Sequence, residues 1–326
     1  MRAIVCNELG PAETLIVEEM AEPTPRPGEV VIEVHAAGLY FPDTLVISGK
    51  YQFKPELPFI PGGEAAGVVV RIGEGVHNFK PGDRVMTAGM MGAFAEKLCR
   101  PAADLIPMPG DMPFVTAAGF LVTYGTSYFA LKQRAALQAG ETLLVLGAAG
   151  GVGLAAVDLG SAMGARVIAA ASSEEKLDLA CRTGASLRVN YGDQPLKEAV
   201  KTLTEGRGAD VVYDPVGGDL SEQALRATAW DGRFLVVGFA SGVIPKIPLN
   251  LPLLKNNAVI GVMYGPWMQR DPQGMQQNIK ELFDLWSAGK LQPQASQLFQ
   301  LDQYREAFAT LTGRRAQGKV IFQVKP

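Results

Sequence analysis

Residues 147–153 form a glycine-rich turn whose spacing suits the binding of a dinucleotide phosphate. The run reads Gly147-Ala148-Ala149-Gly150-Gly151-Val152-Gly153. Gly150 and Gly151 have no Cβ, so backbone N–H groups there can approach a pyrophosphate closely. The same property at Gly153 lets a following helix pack close to the preceding strand. We expect Ala148, Gly150, Gly151 and Val152 to contact the cofactor.

The segments around this turn have the pattern of a strand, a turn, a helix and a second strand. An apolar run at 143–146 precedes the glycines, apolar residues at helical spacing follow them, and a second apolar run covers 167–171. A glycine run alone is weak evidence, because a turn can need glycine for purely structural reasons. With the flanking strand and helix in place, the sequence predicts the first half of a dinucleotide-binding βαβ unit.

The end of the second predicted strand favours NADPH over NADH. Sites selective for NADH usually carry Asp or Glu there, which accepts a hydrogen bond from the ribose 2′-hydroxyl. This strand is followed instead by Ser172, Ser173 and Lys176. Serine hydroxyls can donate to a 2′-phosphate, and lysine supplies a positive charge. A structural alternative stays open beside this one, in which Ser172 caps a helix with an acidic first turn.

Length and composition bound the class of protein. A chain of 326 residues, 48% of them hydrophobic, is long enough for two domains with a core each. The net charge of −3 offers no basic field for nucleic acid, and the apolar runs are too short or too interrupted by glycine to span a membrane. The cysteines are odd in number and far apart, at Cys6, Cys99 and Cys181. This pattern favours a reducing compartment, and we expect the cytoplasm.

The character of the chain changes near residue 125. Before it, short strand-like runs are cut by Gly and Pro, which is typical of a mostly antiparallel β domain. These runs cover 29–37, 67–72, 83–86 and 93–98, and a helix is predicted over 116–139.

From residue 142 to residue 264, strands alternate with helices, which predicts a doubly wound parallel sheet. The later strands of this part are predicted at 187–190, 210–213, 233–237 and 258–263. A strongly patterned helix follows at 275–288. The tail, 319–324, is predicted to be a strand that returns to the first domain.

A series of short motifs runs through the whole chain. The first part contains Pro27-Gly28-Glu29-Val30, Gly38-Leu39-Tyr40-Phe41-Pro42-Asp43-Thr44, Gly49-Lys50-Tyr51, Pro61-Gly62-Gly63-Glu64-Ala65-Ala66-Gly67 and Lys80-Pro81-Gly82-Asp83-Arg84-Val85. The second part contains the 148–153 turn, Asn190-Tyr191, Asp214-Pro215-Val216-Gly217-Gly218 and Val237-Gly238-Phe239. In this order and spacing they resemble the zinc-independent quinone oxidoreductase branch of the medium-chain dehydrogenase/reductase superfamily.

This resemblance implies an α/β fold with two domains. A GroES-like, β-rich catalytic domain would comprise 1–122 and 265–326, and a Rossmann domain with a doubly wound parallel sheet would comprise 123–264. It also implies NADPH as the cofactor and a small-molecule electron acceptor as the substrate. Further cofactor contacts are expected at Tyr191, Val216, Gly238, Phe239, Tyr264 and Lys319. Lys319 has the alternative of being a solvated surface charge.

The superfamily's zinc enzymes hold their metal through Cys or His, and here those positions are filled otherwise. By alignment they fall on Tyr40, Gly63 and Gly119, none of which binds zinc as a thiolate, imidazole or carboxylate does. We therefore expect no metal site. Zinc promotes alcohol oxidation by lowering the pKa of the alcohol. Without it, hydride transfer suits acceptors that are already electron-poor, such as quinones and conjugated enones or enals.

Three residues are candidates for the catalytic site. Tyr51 matches a Gly-x-Tyr position at which related enoyl-thioester reductases place a proton donor, and its alternative is an aromatic wall. Tyr40 stands where the family usually has an Asn beside the nicotinamide, so it changes the shape of the pocket. Thr123 matches a family Thr near the nicotinamide, and its alternative is a helix residue bonded to its own backbone. Asp43 is expected to cap a helix.

Two other functions stay open. An enoyl-thioester reductase acting on acyl-CoA would need basic residues at the mouth of its pocket, and Lys50, Lys54 and Arg71 are too few to decide. The other is a non-enzymatic protein that binds NADPH and has a structural or RNA-binding role. The balanced charge of the chain argues against RNA binding. We also expect a homodimer, because the apolar run 258–263 would form an edge strand able to pair with a second copy.

Overall fold

A computed structural model describes residues 1–294 and 297–325. Its strands are β1 Arg2–Val5, β2 Ile16–Glu19, β3 Glu29–Leu39, β4 Glu64–Ile72, β5 Arg84–Ala88, β6 Lys97–Pro101, β7 Leu105–Pro107, β8 Thr142–Leu146, β9 Arg166–Ala171, β10 Leu187–Asn190, β11 Ala209–Asp214, β12 Thr228–Val236, β13 Ala258–Gly261, β14 Gln297–Phe299 and β15 Val320–Gln323. Its helices are α1 Phe41–Ile47, α2 Phe114–Ala117, α3 Leu121–Tyr128, α4 Gly151–Ala162, α5 Glu174–Arg182, α6 Leu196–Leu203, α7 Asp219–Ala227, α8 Asn250–Lys255, α9 Tyr264–Arg270, α10 Pro272–Ser287 and α11 Tyr304–Thr312.

The chain forms two compact units. The first comprises residues 1–122 together with 294–326, and the second comprises 123–293. The sequence had assigned 265–293 to the catalytic domain, and the structure corrects this boundary. Helix α10 belongs to the second unit because it is bonded there: the Tyr128 hydroxyl donates to Glu281 at 2.6 Å, and the Gln133 amide donates to Asn278 at 2.7 Å.

The first unit is built on a seven-stranded sheet. Its path is β14-β15-β3-β4-β5-β7, with β6 also paired to β3, and all pairs except β14 with β15 are antiparallel. The predicted antiparallel β domain is thus confirmed, as is the return of the tail, which pairs Phe322 with Ala37. The strand expected at 93–98 lies instead at β6, because pairing with β3 sets its register, with Leu98 opposite Ile32.

The second unit contains a six-stranded sheet in which every pair is parallel. The strand order is β10-β9-β8-β11-β12-β13. Chain order therefore runs outward from the middle strand β8 in one direction and then in the other, which is the Rossmann arrangement. Strand β8 is buried along its whole length, as its run of Leu and Val predicts.

The helix predicted over 116–139 is broken into shorter pieces. Helices α2 and α3 are separated at residues 118–120, and α3 continues into a π-helix at Phe129–Arg134. Such a wide turn is usually a short feature found near functional sites. In the part of the chain described above, no helix has both the length and the apolar character needed to cross a bilayer.

Candidate functional site

The cofactor-binding residues predicted in the second unit follow the carboxyl ends of its parallel strands. The turn that begins at Gly147 follows β8, Ser172 and Ser173 follow β9, and Tyr191 follows β10. Val216 follows β11, Gly238 and Phe239 follow β12, and Tyr264 follows β13. All these strands are parallel, so their carboxyl ends share one edge of the sheet, which is where open α/β sheets bind ligands.

The glycine turn after β8 is packed so closely that only glycine fits at Gly153. A Cβ at Gly153 would collide with the carbonyl oxygen of Gly147. Gly147 has a φ of +57°, and a methyl group there would lie 2.9 Å from Cγ2 of Val216. The N–H of Ala148 donates to Ala170 at 3.1 Å, which ties the turn to β9. Helix α4 then begins at Gly151 with its N–H groups directed to the turn, so the site can hold a pyrophosphate.

At the end of β9, the structure brings Ser172 and Lys176 together. The Lys176 ammonium lies 3.3 Å from Oγ of Ser172. The N-cap residue of α5 is Ser173, so Ser172 does not cap the helix, whereas the acidic first turn that the same alternative expected is present at Glu174 and Glu175. The Tyr191 N–H donates to the carbonyl of Ala171 at 3.1 Å, which places the two loops side by side. Three polar side chains can therefore approach a ribose phosphate at this edge.

The loops after β11 and β12 are organised by Asp214, whose role the sequence motif did not specify. Its carboxylate accepts from the N–H groups of Val216 at 2.8 Å and Gly217 at 2.9 Å, and from the Ser221 hydroxyl at 2.5 Å. Burial raises the pKa of Asp214, and these hydrogen bonds lower it. Phe239 packs against Gly217, where a methyl group would lie 2.9 Å from its ring. Val216 and Phe239 are thereby fixed in position.

Thr123 and Tyr264 also belong to the second unit. Thr123 is buried in α3. Tyr264 begins α9, and its hydroxyl closely approaches Gly125, where any Cβ would collide with it. Its ring belongs to an aromatic stack with Phe129 and Trp267, in which the ring centroids of Phe129 and Trp267 are 4.4 Å apart. The small residue at Gly125 is therefore needed for Tyr264 to reach α3.

In the first unit, Tyr40 lies in a buried cluster of charged residues. Asp43, Glu64 and Lys319 are 5%, 0% and 6% exposed. The Lys319 ammonium donates to the carbonyl of Leu39 and lies 2.9 Å from the centroid of the Tyr40 ring. The alternative in which Lys319 is a solvated surface charge is therefore wrong, whereas its contact with the cofactor stays a prediction.

Helix α1 and strand β4 provide the two carboxyl groups of this cluster. Asp43 accepts from the N–H of Tyr40 at 2.7 Å. The sequence had indicated that Asp43 caps a helix that follows it, whereas the structure places Asp43 inside α1 as its third residue, where it bonds back to the N-cap residue Tyr40. Glu64 accepts from the N–H of Val122 at 3.0 Å through one oxygen, while its Oε2 has no hydrogen-bond partner in the described chain. Glu64 was not among the predicted site residues, although a charged residue that opens an apolar strand was the available signal.

Burial dominates the electrostatics of the cluster. It raises the pKa of Asp43 to about 7 and that of Glu64 to about 8, and the nearby Lys319 lowers both. Burial lowers the pKa of Lys319 to about 7 against the opposing effect of Glu64 and Asp43. Burial and the charge of Asp43 raise the pKa of Tyr51. Tyr51 is thus close enough to the cluster to sense its charge.

Two of the three positions that the family resemblance assigns to zinc ligands, Gly63 and Gly119, are closely packed. A methyl group at Gly63 would lie 2.7 Å from the carbonyl oxygen of Gly89, and one at Gly119 would lie 2.8 Å from Cγ of Lys319. Within residues 1–294 and 297–325, no cluster of three His, Cys, Asp or Glu side chains has a metal-binding arrangement. The third position, Tyr40, carries a phenol, which is not among the usual zinc ligands.

Comparison with known proteins agrees with this architecture. An alcohol dehydrogenase GroES-like domain model matches residues 26–110, and a zinc-binding dehydrogenase model matches residues 151–284. The quinone oxidoreductase-like protein 2 homolog of Nematostella vectensis is 42% identical over 99% of this chain and 89% of its own length.

Two solved structures are also similar. Escherichia coli quinone oxidoreductase, complexed with NADPH, is 30% identical with a TM-score of 0.92, covering 99% of this chain and all of the other. CurK enoyl reductase is 26% identical with a TM-score of 0.88, covering 100% of this chain and 99% of its own. The chain belongs to the quinone oxidoreductase branch of the medium-chain dehydrogenase/reductase superfamily, a family of oxidoreductases with a GroES-like and a Rossmann domain.

Proposed function

We propose that this protein is an NADPH-dependent oxidoreductase that reduces quinones or conjugated enones and enals by hydride transfer without zinc. The observation that carries the proposal is the closely packed glycine turn after β8. It is supported by Tyr40, Gly63 and Gly119, which stand at the positions that the family resemblance assigns to zinc ligands. The E. coli relative in complex with NADPH supports the choice of cofactor.

The residues of the second unit fit a bound NADPH. The α4 N-terminus and the turn at Ala148, Gly150, Gly151 and Val152 would hold the pyrophosphate. Ser172, Ser173, Lys176 and Tyr191 would hold the 2′-phosphate, since β9 ends without a carboxylate to repel it. The rest of the cofactor would contact the loops after β11, β12 and β13, at Val216, Gly238, Phe239 and Tyr264, and Thr123 on α3. The bound cofactor supplies a hydride.

The chain's own residues must then position the acceptor and manage one proton. A conjugated acceptor delocalises the negative charge that develops on its oxygen, so a metal is not needed to polarise it. Tyr51 is the candidate proton donor. Burial and the charge of Asp43 raise the pKa of its hydroxyl, so the hydroxyl carries a proton at neutral pH but is a weaker acid than that of an exposed tyrosine.

A second candidate function is reduction of enoyl thioesters. The likeness to CurK enoyl reductase favours it, since the whole of this chain aligns with that structure. Both functions reduce a conjugated double bond and can share the same fold. They differ in the acceptor that the enzyme prefers.

We also infer that the protein is a cytoplasmic homodimer. Strand β13 is the last strand of the parallel sheet, and it pairs only with β12 among the described strands. Val259 on this strand is 51% exposed, and Leu253 on the preceding helix is 79% exposed. An apolar sheet edge of this kind is suited to pairing with a second copy.

The cysteines Cys6, Cys99 and Cys181 are all free thiols, which supports a reducing compartment.

Steady-state turnover with three acceptors tests the proposed function. Purified protein is assayed with NADPH and a benzoquinone, a cyclic enone or a short enoyl-CoA, and its zinc content is measured on the same sample. We expect turnover of the quinone or the enone with well under one zinc per chain. Preference for the enoyl-CoA would establish the second candidate, and the absence of turnover with all three would support a non-enzymatic NADPH-binding protein.

A further inference from the structure

Lys319 is a buried lysine whose ammonium faces an aromatic ring. Lysine is almost never fully buried unless it is paired, because removing its charge from water is costly. Here the ammonium donates to Leu39, lies 2.9 Å from the centroid of the Tyr40 ring, and is near Asp43 and Glu64, whose charges favour its protonated form. The fold therefore places the amino group of Lys319 directly beside Tyr40, although burial lowers the pKa of that group to about 7.

The backbone around this lysine is shaped to admit its side chain. A methyl group at Gly38 would lie 2.9 Å from Cε of Lys319, and one at Gly119 would lie 2.8 Å from its Cγ. Gly119 and Tyr40 are two of the three positions at which zinc enzymes of the superfamily hold their ligands. The stem of Lys319 thus fills space next to one of these positions, and its ammonium reaches the other.

The hydroxyl of Tyr40 has no hydrogen-bond partner among the described residues, although its oxygen is buried. A buried hydroxyl without a partner destabilises a fold, and phenylalanine would avoid that cost. An unsatisfied donor in a candidate site is explained when a bound molecule completes its hydrogen bond. A cation over the face of a phenol also withdraws electron density from the ring and strengthens its O–H as a donor.

We propose that Tyr40 donates a hydrogen bond to the carbonyl oxygen of the acceptor, and that Lys319 is a positioning residue that fixes the Tyr40 ring and strengthens this donor. The proposal rests on the proposed function. A hydride supplied by bound NADPH would form a C–H bond at the β-carbon of an enone. The electron pair of the C=C bond would then shift to the bond between the α-carbon and the carbonyl carbon, and the π pair of the carbonyl would move to its oxygen. Tyr40 stabilises the resulting enolate oxygen, and a proton from Tyr51 or water then completes the saturated product.

Four variants test this pair: Tyr40→Phe, Lys319→Met, Lys319→Arg and the double variant Tyr40→Phe with Lys319→Met. Each is assayed with NADPH and a cyclic enone, and its melting temperature is recorded. We expect Tyr40→Phe to lower kcat about 10²-fold with little change in KM, because the hydrogen bond strengthens as charge develops. Its melting temperature should be unchanged or higher, because the hydroxyl makes no hydrogen bond within the described protein.

Lys319→Met should lower kcat to a similar degree, Lys319→Arg should restore part of it, and the double variant should be no slower than the slower single variant. Tyr304→Phe is the matched control, because the Tyr304 hydroxyl donates to the Leu15 carbonyl within the fold. This control should lower the melting temperature and leave kcat unchanged.

A Tyr40→Phe enzyme with kcat within about twofold of the wild type would overturn the proposal. If the fold-losses in kcat of the two single variants multiply in the double variant, Tyr40 and Lys319 act independently, and the positioning role of Lys319 is refuted. If Lys319→Met does not fold, Tyr40→Phe and Lys319→Arg decide the question by themselves. A wild-type enzyme inactive on every acceptor would refute the proposed function instead, so the two failures are distinguishable.

Discussion

The ammonium of Lys176 lies 3.3 Å from the hydroxyl oxygen of Ser172 at the carboxyl end of β9. Both side chains come from the loop and helix that follow the second strand of the Rossmann sheet, where NADH-selective sites carry a carboxylate. We propose that these two side chains form the site for the 2′-phosphate of NADPH.

We therefore expect NADPH to be preferred over NADH by at least about tenfold in kcat/KM. Lys176→Ala should raise KM for NADPH and leave KM for NADH unchanged, because only NADPH carries the 2′-phosphate. Lys280→Ala, which removes an exposed lysine paired with Asp284, is the control. Equal use of both nucleotides by the wild type would contradict this assignment.

The sheet and the loops at its edge were predictable from sequence because their signals are local. The glycines at 147–153 and the apolar runs around them are contiguous, so the sequence predicted a doubly wound parallel sheet, although it did not specify the strand order. The helix at 275–288 was placed correctly, but its apolar face did not indicate which unit it packs against. Its partners Tyr128 and Gln133 are distant in sequence.

The charged cluster in the first unit could not be predicted from the sequence, because its members are also distant from one another along the chain. Lys319 bonds to Leu39, which is 280 residues away, and only the pairing of β15 with β3 brings the two together. Nothing in the local sequence distinguishes this lysine from an exposed one. Glu64 likewise becomes a buried carboxyl only because β4 is a central strand of the sheet.

The free energy of unfolding should fall as pH rises from 4.5 to about 8, because Glu64 is protonated in the folded state and ionised in the unfolded state over this range. Burial raises its pKa from 4.5 to about 8, so the folded state binds a proton that the unfolded state has released. The stabilisation is present below about pH 4.5 and is lost as pH rises through about 8. Asp43 acts in the same direction, whereas Lys319, whose pKa is lowered to about 7, has the opposite effect above that pH.

Urea unfolding between about pH 5 and about pH 7 measures this effect below the range in which Lys319 contributes. Glu64→Gln should reduce the fall in the free energy of unfolding by about 1 kcal/mol per pH unit. Glu56→Gln removes an exposed glutamate and serves as the control. Equal slopes for the wild type and Glu64→Gln would show that Glu64 is ionised in the folded protein.

Charge placed on the exposed edge strand of the Rossmann sheet should separate the proposed homodimer. Val259→Lys introduces an ammonium on β13, where side chains of two copies would meet, and we expect monomers in sedimentation velocity. Leu298→Lys is the matched control, because Leu298 is an exposed apolar residue on the edge strand of the other sheet. A wild-type protein that is monomeric at all concentrations would refute the dimer.

Tyr51→Phe distinguishes a proton donor from an aromatic wall. If Tyr51 donates the proton, the substitution should slow enone reduction by about 10²–10⁴-fold. Quinone reduction should be affected much less, because the reduced quinone is a stabilised phenolate that water can protonate. Equal losses with both acceptors would show that Tyr51 acts through packing alone.

The most direct test of the central claim is to follow the hydride itself in protein freed of metal. Chelator-treated enzyme with well under one zinc per chain is given NADPH deuterated at the transferring C4 position, with a cyclic enone as acceptor. We predict full activity and deuterium at the β-carbon of the saturated ketone, detected by mass spectrometry. Loss of activity on chelation that zinc restores, or oxidation of simple alcohols with NADP⁺ and no reduction of the enone, would contradict it.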